Sequence, residues 1–299
     1  MRAQLAFELG PEMTAALEDR EVLELLLNPD GQVWVDRIDG MRPLGLSLPP
    51  ERAESLLGTV AAMFSQTITR DDPILEAILP YHGFRIAGAL PPVTSAPVFT
   101  IRKPPPHIFP LDELVRDAEQ LASLRQALAE RKNVLISGAT GSGKTTFASS
   151  LLRELIATSP NERIVVLEDN PELQLTAKNA VSFLTTHSVS LTRLVRTTLR
   201  FHPDRVIVGE VRGAEALDLL KCWNTGHPGG IATVHANSAS AALARLDQLA
   251  QEANVPSQAR LVDDAVDLVI HLIPRCRIAE LLDNSSRRAT AATQPEVSP

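Results

Sequence analysis

Cysteine, aromatic residues and long apolar runs are all scarce in this sequence. The two cysteines, Cys222 and Cys276, stand far apart and outside any CxxC or Cys/His spacing, which predicts reduced structural thiols. No apolar run approaches the length of a membrane span, and acidic residues interrupt the N-terminal segment where a signal peptide needs an apolar core. We therefore expect a cytoplasmic globular protein.

A basic excess is also missing. The chain has 29 Lys and Arg residues against 36 Asp and Glu, a formal net charge of −7, and only 4 % aromatic residues. A protein that moves along nucleic acid needs a basic path lined with aromatic side chains. The composition therefore predicts no direct nucleic-acid binding, and it places a DNA-pumping translocase last among the functions considered.

The most informative stretch is a glycine-rich loop between an apolar run and a helix-like segment. Residues 138–145 read GATGSGKT, a GxxxxGK[ST] pattern in the strand–loop–helix context that a phosphate loop needs. Glycines let backbone N–H groups approach phosphate oxygens, and the following helix directs its positive end at the same anion. Lys144 would reach the β and γ phosphates, and the Thr145 hydroxyl would be a Mg²⁺ ligand. The predicted ATP-binding residues are Gly138, Ala139, Thr140, Gly141, Ser142, Gly143, Lys144, Thr145 and Thr146.

The length of the chain and a proline-rich stretch after residue 102 indicate two domains. Helical patterns at residues 13–28 and 51–64, with strand patterns at 32–36, 84–89 and 98–102, predict an α+β domain over residues 1–102. A proline-rich linker follows at 103–110. Residues 111–283 alternate helices with apolar runs at 164–167, 205–208, 231–234 and 268–273, which predicts a parallel sheet covered by helices. Residues 284–299 lack an apolar period and are predicted to be a disordered tail.

Two of these apolar runs end in carboxylates. The run at 164–167 leads into Glu168 and Asp169, which could hold a metal-bound water or orient the attacking one; the alternative is a solvated acidic loop. The run at 205–208 leads into Gly209 and Glu210, where a phosphate-loop ATPase usually has an aspartate on magnesium. Glu210 is the candidate for polarising the lytic water, and the alternative is a surface glutamate paired with Arg212.

A third run, at 231–234, delivers His235 to the same edge of the sheet, with Asn237 close behind. This position favours a γ-phosphate sensor over a structural histidine. Zinc binding by His227 and His235 lacks a third ligand at suitable spacing.

Arginines recur at positions 193, 196 and 200 beside an apolar helical face. They form either a solvated stripe or a surface for phosphate or acidic groups of a neighbouring subunit.

The segments GATGSGKTT, VVLEDNPEL, VIVGEVRG and TGHPGGIATVHAN occur in this order and resemble the secretion ATPase superfamily of type II and type IV secretion. The upstream LPPVTSAPVFTIRK is similar to that of its conjugal-transfer members. The resemblance implies a RecA-like ATPase domain with a Walker A loop, an Asp box acid at Glu168, a Walker B glutamate at Glu210 and a His box histidine at His235. It also implies that Arg85 and Arg102 of the N-terminal domain reach the nucleotide.

The resemblance further implies a function and a place in the cell. Family members form homohexameric rings at the cytoplasmic face of the inner membrane, where they are peripheral and contact secretion or conjugation subunits. The expected function is an ATP-hydrolysing motor for a type IV secretion or conjugal plasmid-transfer apparatus. The alternatives are an ATP-gated docking scaffold or a pilus or type II secretion relative. After residue 283 the family's further strand pattern is missing, which leaves the last element open.

Overall fold

The computed structural model describes residues 2–37, 39–79, 83–104, 108–186 and 188–285. The chain divides into two compact units, Met1–His107 and Ile108–Pro299. The predicted linker at 103–110 spans this division, and its residues 105–107 lie outside the described residues. None of the helices in the described ranges combines the length and the apolar character that a membrane crossing requires.

The first unit is an antiparallel sheet of six strands with two helices packed on each other and on the sheet. The strand order is β3-β2-β1-β6-β5-β4. In chain order the elements are α1 (Arg2–Glu18), β1 (Val22–Leu27), β2 (Gln32–Arg37), β3 (Gly40–Ser47), α2 (Pro50–Met63), β4 (Ile74–Ile78), β5 (Arg85–Ala89) and β6 (Val98–Arg102). Helix α2 lies so close to β5 that a Cβ at Gly88 would collide with the Leu57 side chain.

The predicted helix over 13–28 is wrong in its second half. Helix α1, interrupted at Gly10 and Pro11, ends at Glu18, and Val22–Leu27 forms the central strand β1. Leucine-rich sequence suits a helix by propensity, but β1 pairs with β2 on one side and β6 on the other. This pairing buries Leu25 and Leu27 in the core, so tertiary packing decides the conformation.

The second unit is a sheet of seven strands in the order β13-β12-β7-β11-β10-β8-β9, parallel except for β13. It begins with α3 (Leu111–Leu114), α4 (Ala118–Ala129), β7 (Val134–Gly138), α5 (Lys144–Thr158), β8 (Ile164–Glu168), β9 (Ala180–Leu184) and α6 (Leu191–Thr198). After a 3-10 turn (Leu199–Phe201) follow β10 (Arg205–Val208), α7 (Glu215–Asn224), β11 (Ile231–Val234), α8 (Ala239–Gln251), α9 (Ala259–Ala265), β12 (Leu268–Ile273) and β13 (Arg277–Asp283). The predicted class is confirmed: an α/β unit with a helix-covered parallel sheet, preceded by a smaller α+β unit.

Both faces of the parallel strands are buried, which explains why they read as continuous apolar runs. Alternate residues of β7, β8 and β10 enter two separate cores, one on each side of the sheet. The carboxyl ends of these strands therefore meet at one edge, where a ligand site is expected.

Two local predictions for this unit need correction. The helical stretch after residue 110 is broken, because Asp117 leaves the helix and caps α4 by accepting hydrogen bonds from Glu119 N and Gln120 N. The predicted tail begins too early, because Asn284 is buried and donates its backbone N–H to Asp267 O. Residues 286–299 of the predicted tail lie outside the described residues.

Candidate nucleotide-binding site

The glycine loop joins β7 to α5 at the carboxyl edge of the sheet. Gly141 and Gly143 have φ of 75° and 94°, a conformation that L-residues with side chains rarely adopt. A Cβ at Gly143 would also collide with the Cys276 thiol in the turn between β12 and β13. Both the backbone conformation and the close approach of Cys276 therefore require glycine at position 143. The loop ends at the N-terminus of α5, as a phosphate site needs.

Lys144 is buried at the base of this loop. Its Nζ donates to Gly138 O at 3.0 Å and Ala139 O at 3.1 Å, and lies 3.2 Å from His235 Nδ1. Burial lowers the pKa of Lys144 from its ordinary value, while Glu210 and Glu172 oppose that shift. None of these three contacts is to a carboxylate, so the ammonium group is available to an anion such as phosphate.

His235 connects Lys144 to Glu210. An ammonium group can only donate, so His235 Nδ1 is the acceptor in its contact with Lys144. Nε2 is 2.6 Å from Glu210 Oε1, and the other oxygen of Glu210 accepts from Arg212 Nε at 2.8 Å. A continuous chain of polar groups thus runs from the phosphate-loop lysine to the predicted catalytic glutamate.

Glu168 is the most deeply buried carboxylate of the site, with 2 % of its surface exposed. Its Oε1 accepts backbone hydrogen bonds from Glu172 N at 3.0 Å and Leu173 N at 2.9 Å. Its Oε2 is buried and has no hydrogen-bond partner among the described residues. Burial raises the pKa of Glu168 to about 7, against the lowering effect of these two hydrogen bonds.

Gly209 explains why the usual aspartate is missing from the end of β10. A Cβ at this position would lie 2.9 Å from Glu168 Cγ and 3.2 Å from its Oε1. The Glu168 side chain, from the neighbouring strand β8, already fills that space. The buried acid of this site therefore stands at the end of β8, and Glu210 follows the glycine after β10.

Glu172 is a site residue that sequence reasoning missed. Thr145 Oγ1 donates a hydrogen bond to Glu172 Oε2 at 3.0 Å, so this carboxylate meets the predicted Mg²⁺ ligand. Its position four residues after Glu168 within VVLEDNPEL was the available signal, but spacing did not show that the loop folds back onto α5. Asp169, by contrast, accepts from Thr185 Oγ1 at 3.0 Å.

One cleft collects these acidic groups beside the phosphate loop. It is lined by Thr145, Glu168, Asp169, Asn170, Glu172, Gly209, Glu210 and Arg212. Oxygen ligands suit Mg²⁺, which usually keeps several waters and substrate phosphates in its shell. The buried Glu168 Oε2 without a partner and the Thr145 hydroxyl therefore fit a magnesium–nucleotide complex.

Two other candidates, His227 and the arginine stripe of α6, lie elsewhere in the second unit. His227 precedes β11 while His235 follows it, so the two histidines stand at opposite ends of one strand. The ring of His227 lies 3.1 Å from Pro203 O. On α6, Arg196 pairs with Asp218 at 3.0 Å, and Arg193 and Arg200 are exposed.

Arg85 and Arg102 belong to the first unit. They are direct cross-strand partners in the antiparallel pair of β5 and β6, at the end of each strand. Arg102 also lies opposite Glu24 on β1. The fold thus brings together two arginines that are distant in sequence.

The family of the chain follows from the length of sequence that a known protein family matches. The family described as "Type II/IV secretion system protein" matches residues 71–297, which include the phosphate loop, Glu168, Glu210 and His235. The chain belongs to this family.

Relatives and solved structures agree with that assignment. The chain is 42 % identical over 273 residues to "Conjugal transfer protein TrbB" of Rhizobium radiobacter, covering 90 % of this chain and 84 % of that one. It is 43 % identical over 269 residues to "Probable conjugal transfer protein TrbB" of Sinorhizobium fredii, covering 88 % and 82 %. The crystal structure of the VirB11 ATPase from the Brucella suis type IV secretion system, in complex with sulphate, is similar with a TM-score of 0.54, 27 % identity and 98 % coverage of both chains. The second unit is therefore a RecA-like ATPase domain.

Proposed function

We propose that this protein hydrolyses ATP and that the conformational work drives a type IV secretion apparatus of the conjugal-transfer kind. The observation that carries the proposal is the convergence of Lys144, Thr145, Glu168, Glu210 and His235 at one edge of the sheet. A protein that only binds nucleotide has no need for this set of carboxylates around the γ-phosphate position.

Each residue of the site has a separate task. The glycine loop and Lys144 hold the phosphates, and Thr145 with phosphate oxygens and water would hold Mg²⁺. The bound cation would neutralise negative charge that develops on the phosphoryl oxygens. Glu210 orients and polarises the attacking water. Glu168 lines the same cleft, and its Oε2 is buried without a hydrogen-bond partner among the described residues.

His235 suits the detection of the γ-phosphate. Its Nδ1 contacts Lys144 and its Nε2 lies close to Glu210, so a phosphate that engages Lys144 changes the contacts of the ring. That change passes to Glu210, which faces the water. The histidine therefore couples phosphate binding to the position of the catalytic glutamate.

Arg85 and Arg102 complete the proposal as arginine fingers. Their guanidinium groups would neutralise the phosphoryl charge in the transition state, an effect worth about 10³ to 10⁵ in rate where arginine fingers have been measured. In the ring that we propose, closure on ATP and opening after hydrolysis would move one unit against the other.

The proposed assembly is a homohexamer, peripheral at the cytoplasmic face of the inner membrane and in contact with secretion or conjugation subunits. Specific ATPase activity as a function of protein concentration tests the motor, with Lys144→Ala as the inactive control. Turnover per chain that rises and saturates supports completion of the site by assembly. Flat turnover from a chain that sizing shows to be monomeric contradicts the ring, and bound ATP without turnover at any concentration favours the gated scaffold.

A further inference from the structure

The Thr145 hydroxyl has a carboxylate partner that neither motif spacing nor the proposed mechanism so far explains. Thr145 Oγ1 donates to Glu172 Oε2 at 3.0 Å. Thr145 is the first threonine of α5, directly after the phosphate-loop lysine, and it lines the acidic cleft together with Glu172. The contact therefore lies at the position where a magnesium–nucleotide complex is expected.

The other two glutamates of the cleft are engaged elsewhere. Glu210 is held between Arg212 and His235. Glu168 uses Oε1 for two backbone N–H groups, and its side chain lies against Gly209. The position after β10 cannot supply a carboxylate, because it is glycine and the space is filled. Glu172 is thus the carboxylate that reaches the threonine.

The loop after β8 is built to hold Glu172 in place. The backbone N–H groups of Glu172 and Leu173 both donate to Glu168 Oε1, at 3.0 and 2.9 Å. The Leu173 side chain is buried in the core on the α5 side of the sheet. Glu168 therefore anchors the residue that contacts Thr145, and the geometry is fixed from two sides.

The chemistry of a hydroxyl gives this contact a consequence. A threonine hydroxyl has one proton and two lone pairs. When the hydroxyl donates a hydrogen bond to a carboxylate, the hydroxyl oxygen becomes more electron-rich. Its lone pairs then face away from that carboxylate. Partners of this kind orient metal ligands, and their loss typically costs about 10- to 100-fold in metal affinity.

We propose that Glu172 is a positioning residue that accepts a hydrogen bond from the Thr145 hydroxyl and orients this hydroxyl as a ligand for the magnesium of the bound nucleotide. It thereby takes over a task that an aspartate at the end of β10 cannot perform here. The proposal rests on the proposed ATPase function, and it assigns a specific role to a residue outside the predicted site.

The test measures binding of a fluorescent ATP analogue during Mg²⁺ titration, without reference to turnover. In Glu172→Ala the half-saturating Mg²⁺ concentration should rise by about tenfold or more, while binding in excess EDTA is not weakened. Glu172→Gln should give a smaller rise, because an amide oxygen still accepts the bond but carries no charge. Asp169→Asn is the matched control, since it removes a charge from the same cleft without touching Thr145, and its shift should be well below that of Glu172→Ala.

A double-mutant cycle with Thr145→Ala separates positioning from general electrostatics. If Glu172 acts through the hydroxyl, adding Glu172→Ala to Thr145→Ala causes no further rise in the Mg²⁺ requirement. Additive effects, an equal shift in Asp169→Asn, or tighter Mg²⁺-dependent binding in Glu172→Ala would each overturn the proposal. A wild-type chain that binds no nucleotide with or without Mg²⁺ would instead contradict the proposed function.

Discussion

Glu168 and Gly209 share one space at the ends of two neighbouring strands, because a side chain at 209 would lie 2.9 Å from Glu168 Cγ. The buried carboxylate therefore stands at the end of β8, and the next residue after Gly209, Glu210, contacts Arg212 and His235. The acidic loop after β8, rather than β10, supplies the partner of Thr145.

The raised pKa of Glu168 predicts a pH-dependent stability. Below about pH 4.5 the folded and unfolded chains both hold the proton, so nothing is lost. As the pH rises to about 7 the unfolded chain ionises first, and the stability that the neutral carboxyl provides is lost. Glu168→Gln stays neutral, so its second unit should be more stable than wild type at pH 8, by about 3 kcal/mol, and nearly equal to it at low pH.

Denaturant unfolding of both proteins at pH 4.5 and pH 8 measures this difference. The exposed Glu113→Gln, in the same unit, serves as the control and should show no such pH dependence. A Glu168→Gln protein that is less stable than wild type at pH 8 and nearly equal to it at pH 4.5 would mean that folding does not raise the pKa of Glu168.

Glu210→Gln should separate binding from hydrolysis. The substitution keeps the length of the side chain and its place beside His235 and Arg212 but removes the base, which is worth about 10² to 10⁴ in rate. We expect ATP to bind with little change and turnover to fall by that factor. Equilibrium binding and steady-state turnover, measured on the same preparation, check it; near-normal turnover would exclude Glu210 from the mechanism.

The parallel sheet and the phosphate loop were predictable because their signals are local. Continuous apolar runs gave β8, β10, β11 and β12, and the glycine pattern gave the loop. Strand β1 was missed because its leucines fit a helix as well as a strand. Only its pairing with β2 and β6 determines that this segment is a strand. The Thr145–Glu172 contact was missed for a similar reason, since it depends on how a loop folds back onto a helix.

The cross-strand pair of Arg85 and Arg102 predicts a shared role. Arg102→Ala should lose hydrolysis by about 10³-fold or more while keeping most of its nucleotide affinity, because an arginine finger acts on the transition state. Arg85→Ala should behave alike, and the double variant should lose less than the product of the two single effects. The control is Arg42→Ala, which removes an exposed arginine of β3 that pairs with Asp39. Unchanged kcat in Arg102→Ala would remove the finger assignment.

Cys276 predicts a chemical block of the phosphate loop. Its backbone N–H donates to Ser142 O at 3.1 Å, and its thiol packs against Gly143, 3.6 Å from that residue's carbonyl oxygen. A maleimide attached there would need the space that the loop occupies, so we expect alkylation to abolish nucleotide binding and MgATP to slow the reaction. Burial raises the pKa of Cys276, so alkylation should accelerate as the pH rises, because the thiolate is the nucleophile.

The second cysteine of the chain makes the experiment specific. Cys222 lies on the buried face of α7, and burial raises its pKa to about 11. It should therefore react with the maleimide far more slowly than Cys276. A Cys276→Ala protein should resist inactivation, while Cys222→Ala should remain as sensitive as wild type. Mass spectrometry of the modified peptide and nucleotide binding after treatment provide the two readings. Full nucleotide binding by a chain that is completely modified at Cys276 would show that the β12–β13 turn moves independently of the phosphate loop.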